Sequence, residues 1–374
     1  MTSIPLVDLQ VQHHQIEDEI RDGFARVCEQ GSFILGPDVT AFEAAFAAFS
    51  DAAHCVGVAN GTDALELALR AAGVDRDHEV IVPVNTFIAT ALAVVRIGAV
   101  PVFVDCDPVH LLIDPAKVEE AISERTRAIV PVHLYGQMAP MGPLEDLASQ
   151  HDLRLIEDAA QAQGAKQIGR SAGSIGISGA TSFYPGKNLG AYGDAGAVTS
   201  SDDSLAQRVR RLRNYGSEVK YHHPSPGFNS RLDSLQAVVL LAKLKRLTAW
   251  NDQRRDAALR YDTLLEGVEG VTLPATAQGN EHVWHLYVVR VQHRDDVLRS
   301  LQGEGIGAGI HYPIPLHLAG AFEHLGYRLG QFPVAERAAG EILSLPLFPG
   351  IEQAQIETVT SRLRAHVQQT HKAP

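Results

Sequence analysis

The chain has 374 residues, 45% of them apolar and 20% charged, the make-up of a globular protein large enough for two domains. Its formal charge of -12 argues against nucleic acid, whose phosphates are gripped by basic faces, and no stretch of about 18 apolar residues is present to span a membrane. Three cysteines are too scattered for a disulfide framework, and none of the 17 histidines falls in a metal-ligand spacing, so neither disulfides nor metal are expected.

The opening "MTSIPLVDLQVQHHQIEDEI" has neither a charged start followed by an apolar run nor a small-residue cleavage site, so no secretory signal and a cytoplasmic location are expected. From residue 54 short β-branched runs alternate with helical patterns. "HCVGVAN" (54–60) precedes the helical "GTDALELALRAAG", "EVIVPV" (79–84) precedes "TFIATALAVVRIGA", and "VPVFVD" (100–105) precedes "DPAKVEEAIS". Then come "RAIVPVHLYG" (127–136), the helical "MGPLEDLASQHD" and "LRLIED" (153–158). Continuous apolar strands separated by helices predict an α/β fold with a mostly parallel sheet covered on both faces. Arg208, Arg210, Arg211 and Arg213 fall on a helix and read as a solvated or salt-bridged face. From Leu232 the apolar positions predict one broad-faced helix running past Trp250, suited to a domain connector or a subunit interface. The rest, including "WHLYVVRVQ", a strand-like "GIHYPIPLH" (309–317) and a terminal helix, reads as a smaller α+β domain. The expected division is 1–248 and 249–374.

In such sheets ligands sit beyond the carboxyl ends of the strands. After the first strand, Gly61 and Thr62 open a helix whose free N–H groups can hold a phosphate, or are simply capped. Phe87 opens the next helix, as core or as a stacking platform. Asp158 ends "LRLIED", with Gln161 just beyond; a carboxylate at this buried rim needs a cation or donors. Lys187 lies among glycines and aromatic rings in "SFYPGKNLGAYGDAGAV" (182–198). An amine that can lose its proton, paired with a carboxylate, is what pyridoxal 5'-phosphate needs: the amine for a Schiff base, the carboxylate for the ring nitrogen.

These motifs, with "GSFILGPDVTAFEAAFAAF", "NGTDALELAL", "VPVNTFIAT", "PVHLYGQ", "IEDAAQAQGA", "NYGSEVKYHH" and "GFNSRLDSLQAVVL", resemble the DegT/DnrJ/EryC1/StrS group of sugar aminotransferases along essentially the whole chain. The resemblance implies an aspartate aminotransferase-like (type I) fold, a large domain plus a smaller C-terminal one. It further implies that Lys187 forms the Schiff base and shuttles protons, Asp158 pairs with the pyridine nitrogen, Gln161 reaches the ring hydroxyl and Phe87 stacks on the ring. Gly61, Thr62 and Ser182 would hold the phosphate, with Asn229 entering from the partner of a homodimer that shares its sites. Members that dehydrate sugars carry histidine where this chain has Lys187, so transamination is expected.

The implied reaction takes nitrogen from an amino acid, L-glutamate in most members, through pyridoxamine 5'-phosphate, to a keto sugar on a nucleoside diphosphate. "NYGSEVKYHHPSPGFNSRLD" resembles members that aminate C3 of dTDP-3-keto-6-deoxyhexoses. Tyr184, His311 and Tyr312 are the candidate hexose contacts, and Lys220 a candidate for the diphosphate or the sugar of the neighbouring subunit. Arg231 either binds the donor carboxylate or braces its loop. Because both substrates are anions, the acidity is expected away from the cleft, with Lys187, Lys220 and Arg231 near it. The alternatives are a C4 or UDP-sugar aminotransferase, and a non-catalytic sugar-nucleotide binder on the same fold.

Overall fold

The computed structural model describes residues 3–370. Seven strands form the main sheet: β1 (His54–Val58), β2 (Glu79–Pro83), β3 (Val100–Val104), β4 (Thr126–Ile129), β5 (Arg154–Asp158), β6 (Ser178–Ser182) and β7 (Gly196–Ser200), in spatial order β1-β7-β6-β5-β4-β2-β3. The pairs of β2 with β3 and β4, of β4 with β5 and of β5 with β6 are all parallel. Their Val and Ile side chains are buried, as a sheet covered on both faces requires, except Val100 and Val102 of the edge strand β3, which are half-buried.

β7 runs antiparallel to both β1 and β6. A parallel connection needs a crossover, usually helical, whereas β6 leads into β7 through residues 183–195, which hold no helix. That return loop is where Lys187 sits. The loop is closed on itself by Lys187 N–H to the Tyr184 carbonyl at 2.8 Å and by Ala191 N–H to the Phe183 carbonyl at 2.8 Å. Gly190 is required by this fold-back, since a Cβ there would lie 2.2 Å from the Pro185 carbonyl oxygen.

Three sequence expectations are corrected. The run from Leu232 forms two helices, Ser234–Leu244 and Leu247–Leu265, and the break at Lys245 and Arg246 is held by Glu19, which receives Lys245 Nζ at 2.9 Å and Arg246 at 2.5 Å. The strand in 127–136 stops at Ile129: Pro131 has no N–H to give, and Tyr135 and Gly136 take left-handed φ of 61° and 109°. Segment 309–317 forms no strand: it touches one only through the single bridge Gly309–Ser344, and its last residues enter the 3-10 turn Leu316–Leu318. The arginine cluster lies on helix Asp203–Arg213 and is tied down, Arg208 to the Ala71 carbonyl, Arg211 to Glu218 and Arg213 to Glu43 and the Gly57 carbonyl.

A second packed body surrounds the antiparallel sheet of Val271–Thr272, Tyr287–Val291 and Ile342–Leu345. Its core joins Tyr261, Leu265, Val297, Leu301, Val359 and Leu363, and Tyr261 stacks on Tyr287 at 4.8 Å. The start of the chain belongs here too. Ile4 exchanges backbone hydrogen bonds with Gly305 and Gly307 at 2.9 and 2.7 Å, and Leu347 N–H reaches the Leu6 carbonyl at 3.1 Å. Among the described residues no helix is long and apolar enough to cross a membrane.

Candidate active site

A cleft of about 630 Å³ opens beyond the carboxyl ends of the parallel strands. Lys187, Asp158, Gln161, Phe87, Gly61, Thr62, Ser182, Tyr184, His311 and Tyr312 all line it, drawn from loops that are distant in sequence. All but His311 and Tyr312, which lie on loop, stand at or follow the end of a main-sheet strand. Asp158 is the last residue of β5 and Ser182 of β6, Gly61 begins helix Gly61–Ala71 after β1, and Phe87 caps helix Ile88–Arg96 after β2.

Lys187 is half-buried at the floor, and among the described residues its Nζ has no hydrogen-bond or ion-pair partner. Burial pulls its pKa from 10.5 to about 8, against an opposing attraction from Asp158. Asp158 is 5% exposed and among the described residues no cation contacts it; burial raises its pKa, only partly opposed by hydrogen bonds from Thr90 Oγ1 at 2.8 Å and Ala160 N–H at 3.2 Å.

Asn60 caps the helix by accepting Asp63 N–H at 2.8 Å, a contact of the kind worth about 1 kcal/mol. The plain-cap reading is therefore satisfied one residue earlier, and the N–H groups of Gly61 and Thr62 are left without an acceptor among the described residues. Ser182 stands over them so closely that a Cβ on Gly61 would lie 2.5 Å from the serine Cβ. Free N–H groups at a helix start, flanked by two hydroxyls, form an anion cradle. An anion cradle, a free amine of depressed pKa, a buried carboxylate lacking a cation and an exposed ring at Phe87 fit pyridoxal phosphate in phosphate, carbonyl, ring nitrogen and ring face.

Other expected contacts are already partly engaged. Gln161 accepts from Tyr135 N–H at 2.6 Å and donates to Tyr312 Oη at 3.0 Å, leaving one amide hydrogen for a ligand. The Tyr312 ring packs against Phe87 at 5.2 Å. His311 bonds Ser344 Oγ at 2.8 Å, and burial lowers its pKa to about 4, so its ring is neutral.

Asn229, Lys220 and Arg231 are not among the lining residues. Asn229 is exposed beside Asn214, while Lys220 and Arg231 line a separate open groove with Tyr215, Tyr221 and His223. Arg231 braces its loop, donating to Asn214 Oδ1 at 3.1 Å and lying 5.4 Å over the Tyr215 ring. The expected charge distribution is also corrected: Asp63, Asp158 and Asp194 line the cleft, and its arginine, Arg96, is committed to Asp63 and Glu66. Sequence reasoning missed Thr90, Leu6, Val7 and His285, all of which line the cleft. His285 follows none of the seven strands of the main sheet but stands two residues before strand Tyr287–Val291, and no local pattern marks it.

The model of the DegT/DnrJ/EryC1/StrS aminotransferase family matches residues 14–364. The erythromycin biosynthesis sensory transduction protein EryC1 of Saccharopolyspora erythraea is 49% identical over 97% of this chain and 99% of its own. The dTDP-3-amino-3,4,6-trideoxy-alpha-D-glucose transaminase of Streptomyces venezuelae is 45% identical over 99% and 98%. The UDP-N-acetyl-3-dehydro-alpha-D-glucosamine 3-aminotransferase of Acidithiobacillus ferrooxidans is 47% identical over 97% and 98%. Among solved structures, S. venezuelae DesV in complex with a ketimine intermediate superposes with a TM-score of 0.96 at 46% identity, covering 98% of both chains. NtdA of Bacillus subtilis with bound cofactor PMP gives 0.89 at 31%, covering 98% of this chain and 86% of that one. With the type I fold, a cleft at the strand ends and these full-length matches together, the chain belongs to the DegT/DnrJ/EryC1/StrS aminotransferase family.

Proposed function

We propose that the chain transfers an amino group from L-glutamate to C3 of a dTDP-3-keto-6-deoxyhexose, using pyridoxal phosphate. The observation that carries the reading is Lys187 Nζ: half-buried, unpartnered among the described residues and with its pKa lowered to about 8, in the same cleft as the uncompensated Asp158. When bound, the cofactor supplies a carbonyl that takes up nitrogen and a ring that draws electrons from the carbon losing its proton. The N–H groups of Gly61 and Thr62, with the Thr62 and Ser182 hydroxyls, hold its phosphate. Asp158 keeps a proton at the ring nitrogen, Phe87 supports the ring face and Gln161 gives its remaining amide hydrogen to the ring hydroxyl. Lys187 Nζ removes a proton from the donor carbon and returns one to the acceptor side, which a pKa near working pH favours. Tyr184, His311 and Tyr312 face the hexose. Position 3 is supported by the S. venezuelae and A. ferrooxidans transaminases described above, which share it in their names, one for a dTDP-sugar and one for a UDP-sugar.

Both substrates are anions, yet the cleft's own cations are Lys187 and the already paired Arg96. Lys220 and Asn229 therefore serve the cleft of a second copy in a cytoplasmic homodimer, each copy dividing into a large domain (1–248) and a small one (249–374), with the stretch around Ile4 packed onto the small one. The test is amination by purified protein with L-glutamate and a panel of 3-keto and 4-keto dTDP- and UDP-sugars. Turnover of dTDP-3-keto substrates is expected; turnover confined to 4-keto or UDP-sugars overturns the substrate assignment. Protein that neither absorbs in the visible with pyridoxal phosphate nor changes on adding glutamate overturns the activity.

A further inference from the structure

Lys187 is followed by Asn188, whose side chain is 1% exposed and fully bonded. Its Nδ2 donates to the Val283 carbonyl and to Asn251 Oδ1, both at 2.9 Å. Asn251 in turn donates from Nδ2 to the Gln163 carbonyl at 3.0 Å. Both amides thus end on backbone carbonyls, which can only accept, and this fixes the direction of each bond. Asn188 Oδ1 is then left as an acceptor, and the group facing it, at 3.2 Å, is His285 Nδ1. The His285 hydrogen must sit on Nδ1. Burial, with the charges of Lys187 and Arg254 adding to it, drives the His285 pKa well below 6.5, so Nε2 is bare; it has no partner among the described residues, on a side chain that lines the cleft.

The chain crosses three parts of the molecule. Asn188 belongs to the β6–β7 loop, Asn251 to helix Leu247–Leu265, and Val283 and His285 to the segment leading into the second sheet. That segment is pressed against the large sheet's rim at Gly136, where a Cβ would lie 2.7 Å from His285 N. Because Lys187 Nζ has no bond of its own, its direction depends on the backbone that carries it, and the next side chain along that backbone is the bonded Asn188. We propose that His285, through Nδ1–H and Asn188, is a positioning residue that aims Lys187 into the cleft.

This rests on the reading of Lys187 as the amine that captures the cofactor, and the test separates the two. Cofactor-free protein is mixed with pyridoxal phosphate, the visible absorbance of capture is followed in time, and borohydride trapping with peptide mass analysis locates the linkage. His285→Asn places an amide hydrogen where Nδ1–H was, whereas His285→Gln places its amide near Nε2. His285→Asn is expected to capture within about threefold of wild type, and His285→Gln to slow by about ten- to hundredfold, the scale of a misplacement near 1 Å. Asn188→Asp, isosteric but unable to donate to Val283 or Asn251, is expected to slow similarly and carries the comparison if His285→Gln does not fold. In glutamate half-reactions kcat falls in the slow variants while KM holds. Equal capture by His285→Asn and His285→Gln, or wild-type rates in Asn188→Asp, overturns the proposal. Wild-type protein that links no cofactor to Lys187 overturns instead the reading beneath it.

Discussion

Gly61 opens a helix with an ordinary backbone conformation, so by conformation alone alanine there would stabilise the protein by about 0.4–1 kcal/mol. Space reverses that sign. The new Cβ would lie 2.5 Å from Ser182 Cβ and 3.0 Å from Ser182 Cα, where carbon contacts settle at about 3.5–4.0 Å. The nearer atom starts the side chain and the other is backbone at the end of β6, so neither can rotate away. About 1 Å must be gained by separating the helix start from the strand end, an overpacking cost of about 1–3 kcal/mol. The same separation pulls the Gly61 and Thr62 N–H groups away from the Ser182 hydroxyl, and one lost hydrogen bond to a charged phosphate costs about 1.5–3 kcal/mol. Gly61→Ala should therefore weaken pyridoxal phosphate binding about ten- to hundredfold and lower the unfolding free energy of the cofactor-free protein, read by equilibrium dialysis and by urea titration. Gly142→Ala, in helix Met141–Gln150 with nothing within 4 Å of its added Cβ, is the control and should leave both unchanged or slightly improved. Cofactor affinity within twofold of wild type in Gly61→Ala would refute the cradle.

Lys187→Ala should abolish amination and the visible band in absorbance while leaving the far-ultraviolet dichroism intact. Because burial holds Lys187 near 8 against 10.5 for a free lysine, the unfolded chain binds more protons between those values; stability of the cofactor-free protein should rise with pH across that window, and urea titrations of Lys187→Ala should lack that rise. Asp158→Asn keeps one oxygen to accept from Ala160 N–H and turns its amide NH2 to the Thr90 hydroxyl, which can accept, but loses the charge; it should slow the glutamate half-reaction about a hundredfold, and a change under threefold would remove Asp158 from the ring nitrogen. Mixing Lys187→Ala with a Lys220→Ala/Asn229→Ala double variant should restore about a quarter of wild-type activity, since half of the dimers are mixed and one of their two sites is intact. No recovery on mixing would place those residues outside a shared site.

The alternation of apolar runs and helices was readable because strands buried on both faces leave no room for polar residues, and the rim residues followed from the rule that ligands sit at strand ends. Lys187 and Asp158 were legible for that reason. β7 gives no local sign of its direction, since an apolar strand reads the same either way and its sense is set by the absence of a helix in the preceding loop. The break at Lys245 and Arg246 was hidden because it depends on Glu19, a residue more than two hundred positions earlier. His285 was hidden for the same kind of reason: its place beside Asn188 comes from two segments meeting at Gly136, and "WHLYVVRVQ" read alone is only the approach to a strand. The misjudged charge of the cleft came from reasoning from the substrates' charge alone, which gave no sign that Asp63 and Asp194 line the cleft while Lys220 and Arg231 line a separate groove of the same copy.

The pairing of Ile4 with Gly305 and Gly307 makes the first stretch of the chain a side wall of the cleft, with Leu6 and Val7 on its inner surface. Whatever is joined ahead of Ser3 enters within five residues of the surface the substrates must pass, and a cleavage scar left there becomes a change in the cleft's lining. A preparation that loses activity after such handling would report on its handling, while its central sheet and its lysine remained as they were.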